Sequence, residues 1–259
     1  MIRRLVACAA LVAGAVPAAA QTTASPTPPG VEIFPRTAFH LSAELLSDDD
    51  ERFTWDTNFG GELDVVDYGV GRLTFVANYQ AVLGGELRRF DPNQGNYILE
   101  GSASVRTRPL EIAGVFYHQS RHLSDRPKVV PIDWNMLGVR VRSTATLGAT
   151  RLDMRADVRG AIQRSFVDYR WELDGRVRAD HTVRPGVGVL LGVGFRRLGV
   201  DGTRNRGGQT GFRGEAGIRV EGRGGAAELF AAVERRVDPS PLQFETATWA
   251  IAGFRLLSR

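Results

Sequence analysis

Cysteine is all but missing: the chain of 259 residues has one, Cys8. It sits in a short N-terminal segment in which Arg3 and Arg4 precede an apolar run from Leu5 to Val16, followed by Pro17 and small residues. That order matches a secretory signal peptide, with cleavage expected after Ala20. "LVAC" resembles a lipoprotein box only loosely, because it follows the arginines too closely. Without Cys8 the mature chain cannot form a disulfide, so a stapled secreted scaffold is excluded. Long hydrophobic runs are also lacking. No later stretch approaches the roughly 18 apolar residues that a membrane-spanning helix needs. Nor is there an excess of one charge sign. The formal charge is +4 including Arg3 and Arg4, and the remaining charges alternate in sign. No basic patch interleaved with stacking aromatics is present, so nucleic acid is not an expected partner.

What is present is alternation. In "RLDMRADVRG" (Arg151–Gly160) the odd positions Arg151, Asp153, Arg155, Asp157 and Arg159 are charged, and the even positions Leu152, Met154, Ala156 and Val158 are apolar. A helix would scatter alternate residues around its axis, whereas a strand sends them to opposite faces. "RWELDGRVRAD" (Arg170–Asp180) repeats the pattern. Long strands with one greasy and one ionic face are what a tilted transmembrane barrel strand requires.

Twelve such segments occur: Ala38–Leu46, Phe53–Val66, Arg72–Leu83, Tyr97–Thr107, Leu110–Ser120, Ile132–Leu147, Arg151–Arg164, Arg170–His181, Val187–Leu198, Gly211–Glu221, Ala226–Arg236 and Phe244–Leu256. Short links such as "RP" (108–109) and "GAT" (148–150) alternate with longer ones such as "GGELRRFDPNQGN" (84–96) and "RHLSDRPKVVP" (121–131). The links after Arg164 and Arg236 are shorter than that rule expects. Tight turns at one rim and longer loops at the other describe a bacterial outer-membrane barrel. The expected fold is therefore all-β, a single transmembrane antiparallel barrel of about twelve strands with a polar, charged interior. The expected organisation is a leader at 1–20, a Pro/Thr/Ser-rich segment at 21–36, and the barrel at 37–259. Phe53, Trp55, Phe59, Tyr97, Trp134, Trp171, Phe244 and Trp249 fall near strand ends, as interfacial girdles do. Ordinary strand propensity would also place aromatics there. The chain ends "FRLLSR", with Phe254 as its last aromatic, whereas many such barrels end in one.

The interior charges have a simple reading: arginines and carboxylates on neighbouring strands pair across the lumen. That gives a largely filled, non-enzymatic barrel, structural or weakly permeable. A small-solute pore is the alternative for the lumen. Barrels well below sixteen strands tend to be filled.

One stretch offers chemistry. In "FYHQSRHLSDRP" (Phe116–Pro127), His118 and Ser120 are two apart and share a face, with Cβ atoms about 7 Å apart by strand rise. An imidazole there can serve a hydroxyl as general base. Asn135 on the following strand is the first choice to hold the ring, with Asp133 and Asp125 competing. His122 and Ser124 form a second pair of the same spacing. Parity places Glu111 inward and hence His118 and Ser120 outward, and Asn135 shares parity with Leu137, Val139 and Val141, an outward set. Simple hydrogen bonding at the rim would use the same residue types.

His-x-Ser at the outer end of a barrel strand, with a polar residue on the next strand, resembles two families: outer-membrane phospholipase A and the lipid A deacylases. The resemblance covers about twenty residues and implies a lipid acyl-ester hydrolase, with His118 as base, Ser120 as nucleophile and Asn135 as orienting group. It also implies lipid or lipopolysaccharide as partner and a possible need for Ca2+, although the residues themselves point to no cofactor. The phospholipase pattern continues with Asn-Gly, where this chain has Arg121 and His122. "YHQSRHLSD" also resembles the Tyr-His-x-Ser-x-His-Leu-x-Asp stretch of an outer-membrane family with no assigned activity, which implies a barrel and no chemistry.

The remaining candidates are simpler. Asp48, Asp49 and Asp50 in "SDDDER" could bind divalent cations that bridge lipopolysaccharide, or could simply be solvated. "FDPNQGN" reads as a turn and lacks the later acidic ligand of a calcium loop. His40 is expected to face the lumen with Ser42 and Glu44. His181 closes its strand with no evident partner.

Overall fold

The computed structural model describes residues 30–124, 126–127 and 130–258. The expected leader, its Cys8 and cleavage site, and Asp125 lie outside them. Twelve strands form: β1 (Glu32–Leu46), β2 (Trp55–Asp67), β3 (Arg72–Gly84), β4 (Asp91–Thr107), β5 (Leu110–His122), β6 (Asp133–Leu147), β7 (Thr150–Ser165), β8 (Tyr169–Arg184), β9 (Val187–Val200), β10 (Gln209–Glu221), β11 (Gly225–Val237) and β12 (Thr246–Ser258). Each pairs antiparallel with its sequence neighbours, and β1 closes on β12 from His40–Leu257 to Leu46–Ile251. Closure joins the first and last strands, the condition a sheet must meet in hydrocarbon, while the start of β1, Glu32–Phe39, pairs with β2 alone.

Two strands start earlier than their pattern suggests. β1 begins at Glu32, inside the Pro/Thr/Ser-rich segment, and carries a bulge between Ile33 and Arg36 that accommodates Pro35. β4 begins at Asp91, so most of "FDPNQGN" is strand rather than turn. Its side chains bond inside the mouth: Asn93 donates to Arg52 O (3.0 Å), Gln94 to Pro239 O (2.7 Å) and Asn96 to Gln80 (2.8 Å). Those bonds replace the alternation that marks other strands.

The two faces separate as period two demands. On β11, Leu229 is 67 % exposed while Glu228 beside it is 1 % exposed. The interior is a lattice of ion pairs. Arg140 sits between Glu100 and Asp157, and Glu228 receives Arg178, Arg219 and Arg255. The glycines of the short turns Gly148 (φ 59°) and Gly186 (φ 76°) adopt the left-handed backbone that tight hairpins use.

The lumen is not uniform. At the long-loop rim it is packed with two apolar clusters, one around Trp134, Tyr169 and Met136, the other around Trp249, Phe53 and Ile251. Here the girdle expectation is corrected. Trp134, Trp249 and Phe53 point inward and support the mouth, whereas Phe59, Tyr97 and Trp171 face out. Strand-end position does not decide facing; parity does. The 238–245 loop folds into the mouth, with Asp238 and Ser240 buried. Arg121 donates to Asp238 O (2.7 Å), Tyr169 to the Asp238 carboxylate (2.7 Å), and Arg206 bridges Asp168 and Asp238. Burial works against the Arg206 charge, but hydrogen bonds and attraction from the two aspartates outweigh it and hold its pKa above the ordinary guanidinium value. Toward the short-turn rim the lumen opens into a cavity of about 1270 Å3.

Candidate functional site

β5 presents alternate residues outward. Ala113, Val115, Tyr117 and Gln119 are buried on the lumen side, and Phe116 is exposed on the other with His118, Ser120 and His122. The Glu111 face is inward, as parity implied. On β6, Asn135 shares the outer face with the exposed Leu137 and Val139. Register then brings the groups together: His118 pairs directly with Asn135, and Ser120 with Asp133.

His118 Nδ1 lies 2.7 Å from Asn135 Oδ1. Asn135 Nδ2 donates to Gln163 Oε1 on β7 (2.6 Å), and Gln163 Nε2 donates to Asp133 Oδ1 (2.9 Å) and Ser165 Oγ (3.2 Å). This chain of bonds assigns the protons. A carboxylate only accepts, so Gln163 must turn its amide N–H toward Asp133. Its oxygen then accepts from Asn135, whose own oxygen is left for the ring. His118 therefore donates from Nδ1, which in the neutral ring leaves Nε2 as the acceptor that a general base requires.

Ser120 Oγ is bonded differently from the arrangement the spacing suggested. Its partner is His122 Nε2, at 3.3 Å, two residues further along the same face. His122 also packs edge-on against Tyr97 (5.3 Å), which continues through Tyr79 to Phe59 as an aromatic ladder on the outer wall. The sequence marked His122 only as half of a second pair with Ser124. Ser124 lies exposed in the turn beyond β5. Gln163 was not singled out at all, since an exposed glutamine near a strand end carries no pattern of its own. The backbone N–H of Arg121 donates to Ile132 O (2.8 Å), so it is engaged in the sheet.

The other candidates resolve simply. Asp48 accepts from the Trp249 indole and from the Asp50 N–H (3.0 Å), while Asp50 binds Arg52 (2.9 Å). Among the described residues no group of three His, Cys, Asp or Glu could hold a metal ion, so Asp48, Asp49 and Asp50 form no such site. His40 faces the lumen and bonds Asn78 (3.0 Å), and His181 meets Thr150 (2.9 Å) across the β7–β8 pair.

No protein-family description and no curated protein matches this chain. Solved structures do. A Salmonella typhi outer membrane phospholipase dimer with bound calcium is similar at 13% identity and TM-score 0.54, over 85% of this chain and 90% of that one. An active-site mutant of outer membrane phospholipase A from Escherichia coli is similar at 12% identity and TM-score 0.53, over 91% and 94%. LpxR from Salmonella typhimurium matches at 10% identity and TM-score 0.49, over 85% and 99%. The fold is that of a bacterial outer-membrane β-barrel. The apolar outer belt and the barrel fold shared with the two phospholipases support placement in the bacterial outer membrane.

Proposed function

We propose that this barrel is a lipid acyl-ester hydrolase acting at the outer wall of the outer membrane. The observation that carries the reading is the His118–Asn135 contact at 2.7 Å on the lipid-facing side, next to a serine on the same face. A charged lumen alone would argue for a structural barrel, but nothing about lumen filling calls for an oriented imidazole outside. Outward placement also suits the substrate, because an acyl ester in the membrane approaches the wall and not the lumen.

In this reading His118 Nε2 takes the Ser120 hydroxyl proton as Oγ attacks the ester carbonyl. The proton passes to the departing alcohol as its C–O bond breaks, and water then cleaves the acyl-serine by the same route. Ser120 must rotate from His122 toward His118, a side-chain torsion without backbone change. With the Arg121 N–H committed to Ile132, His122 is the group placed to donate to the oxyanion. Asp133 is the carboxylate in the bond chain around the pair, and no step here depends on a calcium ion.

The test uses the full-length mature chain refolded in detergent, with phospholipid in mixed micelles as substrate. Fatty-acid release that disappears in Ser120→Ala and in His118→Ala, with both variants folded, is the expected result. Release undiminished in both variants, or no release by the wild-type chain, refutes the reading and leaves a barrel without enzymatic activity.

A further inference from the structure

A second feature lies inside the barrel and goes beyond the outer-wall chemistry. On the lumen face, β6, β7 and β8 place Arg142, Arg155 and Arg176 directly opposite one another: Arg142 pairs with Arg155, and Arg155 with Arg176. Side chains directly opposite in an antiparallel sheet have Cβ atoms about 5 Å apart, and like charges so placed destabilise it. The next position in the row, on β9, is Gly194, which adds no side chain, and beyond it on β10 stands Arg213.

Elsewhere in the lumen, other arginines are paired closely with carboxylates. Arg72 grips Glu111 through two bonds of 2.8 and 3.0 Å, and Arg213 grips Glu44 through two of 2.8 and 3.0 Å. The row is held more loosely. Arg142 meets Glu62 at 3.3 and 3.5 Å, and its buried Nε has no hydrogen-bond partner among the described residues. Arg176 meets Glu215 at 3.3 Å with its side chain 52 % exposed. Arg155 bonds Asp157 well through Nε (2.6 Å) but only weakly through Nη2 (3.3 Å). All three line the 1270 Å3 cavity, which reaches the short-turn rim at Pro109 and Arg151. Repulsion between neighbours, spare N–H donors and open volume meet at one place. A guanidinium presents its donors in a planar fork that matches phosphate-type oxygens.

We propose that the row Arg142–Arg155–Arg176 is a binding site for a multivalent phosphate-type oxyanion that enters the lumen from the short-turn side. Such an anion relieves the repulsion and takes up the spare donors of all three side chains.

The experiment is calorimetric titration and thermal unfolding of the refolded mature chain in detergent, with tripolyphosphate, orthophosphate and glycerol 3-phosphate against chloride at equal ionic strength. Saturable tripolyphosphate binding and a raised Tm are expected. In Arg155→Gln the affinity falls at least roughly tenfold. Should Arg155→Gln fail to fold, as judged by heat-modifiable gel mobility, the loosely paired Arg176→Gln replaces it with the same expectation for affinity. Glycerol 3-phosphate binding extends the site to phosphate esters, and restriction to inorganic anions makes it a free-phosphate site; both support it. No response beyond that of chloride, or unchanged affinity in the folded variant, overturns it. Ester hydrolysis plays no part in either readout, so the outer-wall reading can fail without touching this one.

Discussion

Asp133 sets the tautomer of His118 without touching it. The carboxylate accepts from Gln163 (2.9 Å), which orients Gln163 to accept from Asn135, which in turn accepts from His118 Nδ1. Removing a link should therefore matter even though the link never meets substrate. Asn135→Ala should lower hydrolysis, and Gln163→Leu, which cannot relay the orientation, should lower it roughly ten- to a hundredfold, the range for groups that orient a functional histidine. His118→Ala should cost more, on the order of 10²–10⁴. Initial rates on micellar phospholipid check the order; Gln163→Leu at wild-type rate would disconnect the relay from catalysis.

Chelation gives an independent expectation. No described acidic cluster could hold a metal ion. Fatty-acid release by this chain should be unchanged by EDTA and unchanged on adding Ca2+. A rate that collapses with EDTA and returns with Ca2+ would show that a calcium ion takes part.

The mouth should be closed by the 238–245 loop, and Arg206 should be its clasp. Asp168 and Asp238 are almost fully buried beside it. Breaking a buried ion pair by removing one partner costs about 3–5 kcal/mol. Arg206→Ala should lower the urea midpoint of the folded barrel and raise its conductance in planar bilayers. Wild type should show little conductance, and large steady channels in wild type would contradict the plug.

Trp171 lies over Gly199 on the outer wall, where a Cβ on Gly199 would come within 2.0 Å of the indole nitrogen. Gly199→Ala should push the indole off the strand, at a cost of about 1–3 kcal/mol for overpacking. A shifted tryptophan emission, absent in a Gly199→Ala/Trp171→Phe double variant, reads this out.

Faces, strand number and the sense of the wall were legible in the sequence because a strand has a side-chain period of two, which is a local property. The alternation of Arg151 to Arg159 and the parity of Leu110 to Ser120 assign inside and outside with no partner strand in view. It failed where local bonding replaces alternation, as in Asp91–Asn96, and where a residue type was mistaken for a place, as with Trp134 and Trp249. Register is another matter. Which residue stands opposite which follows from bulges, turn lengths and the closure of β1 on β12, and these act over the whole barrel. Only that closed geometry sets Asn135 beside His118, threads Gln163 and Asp133 into one chain of bonds, and lines up Arg142, Arg155 and Arg176 in a single row. The sequence alone determined a two-faced wall, and the tertiary structure decided which of its groups meet, because facing is set residue by residue and pairing is set by the ring as a whole.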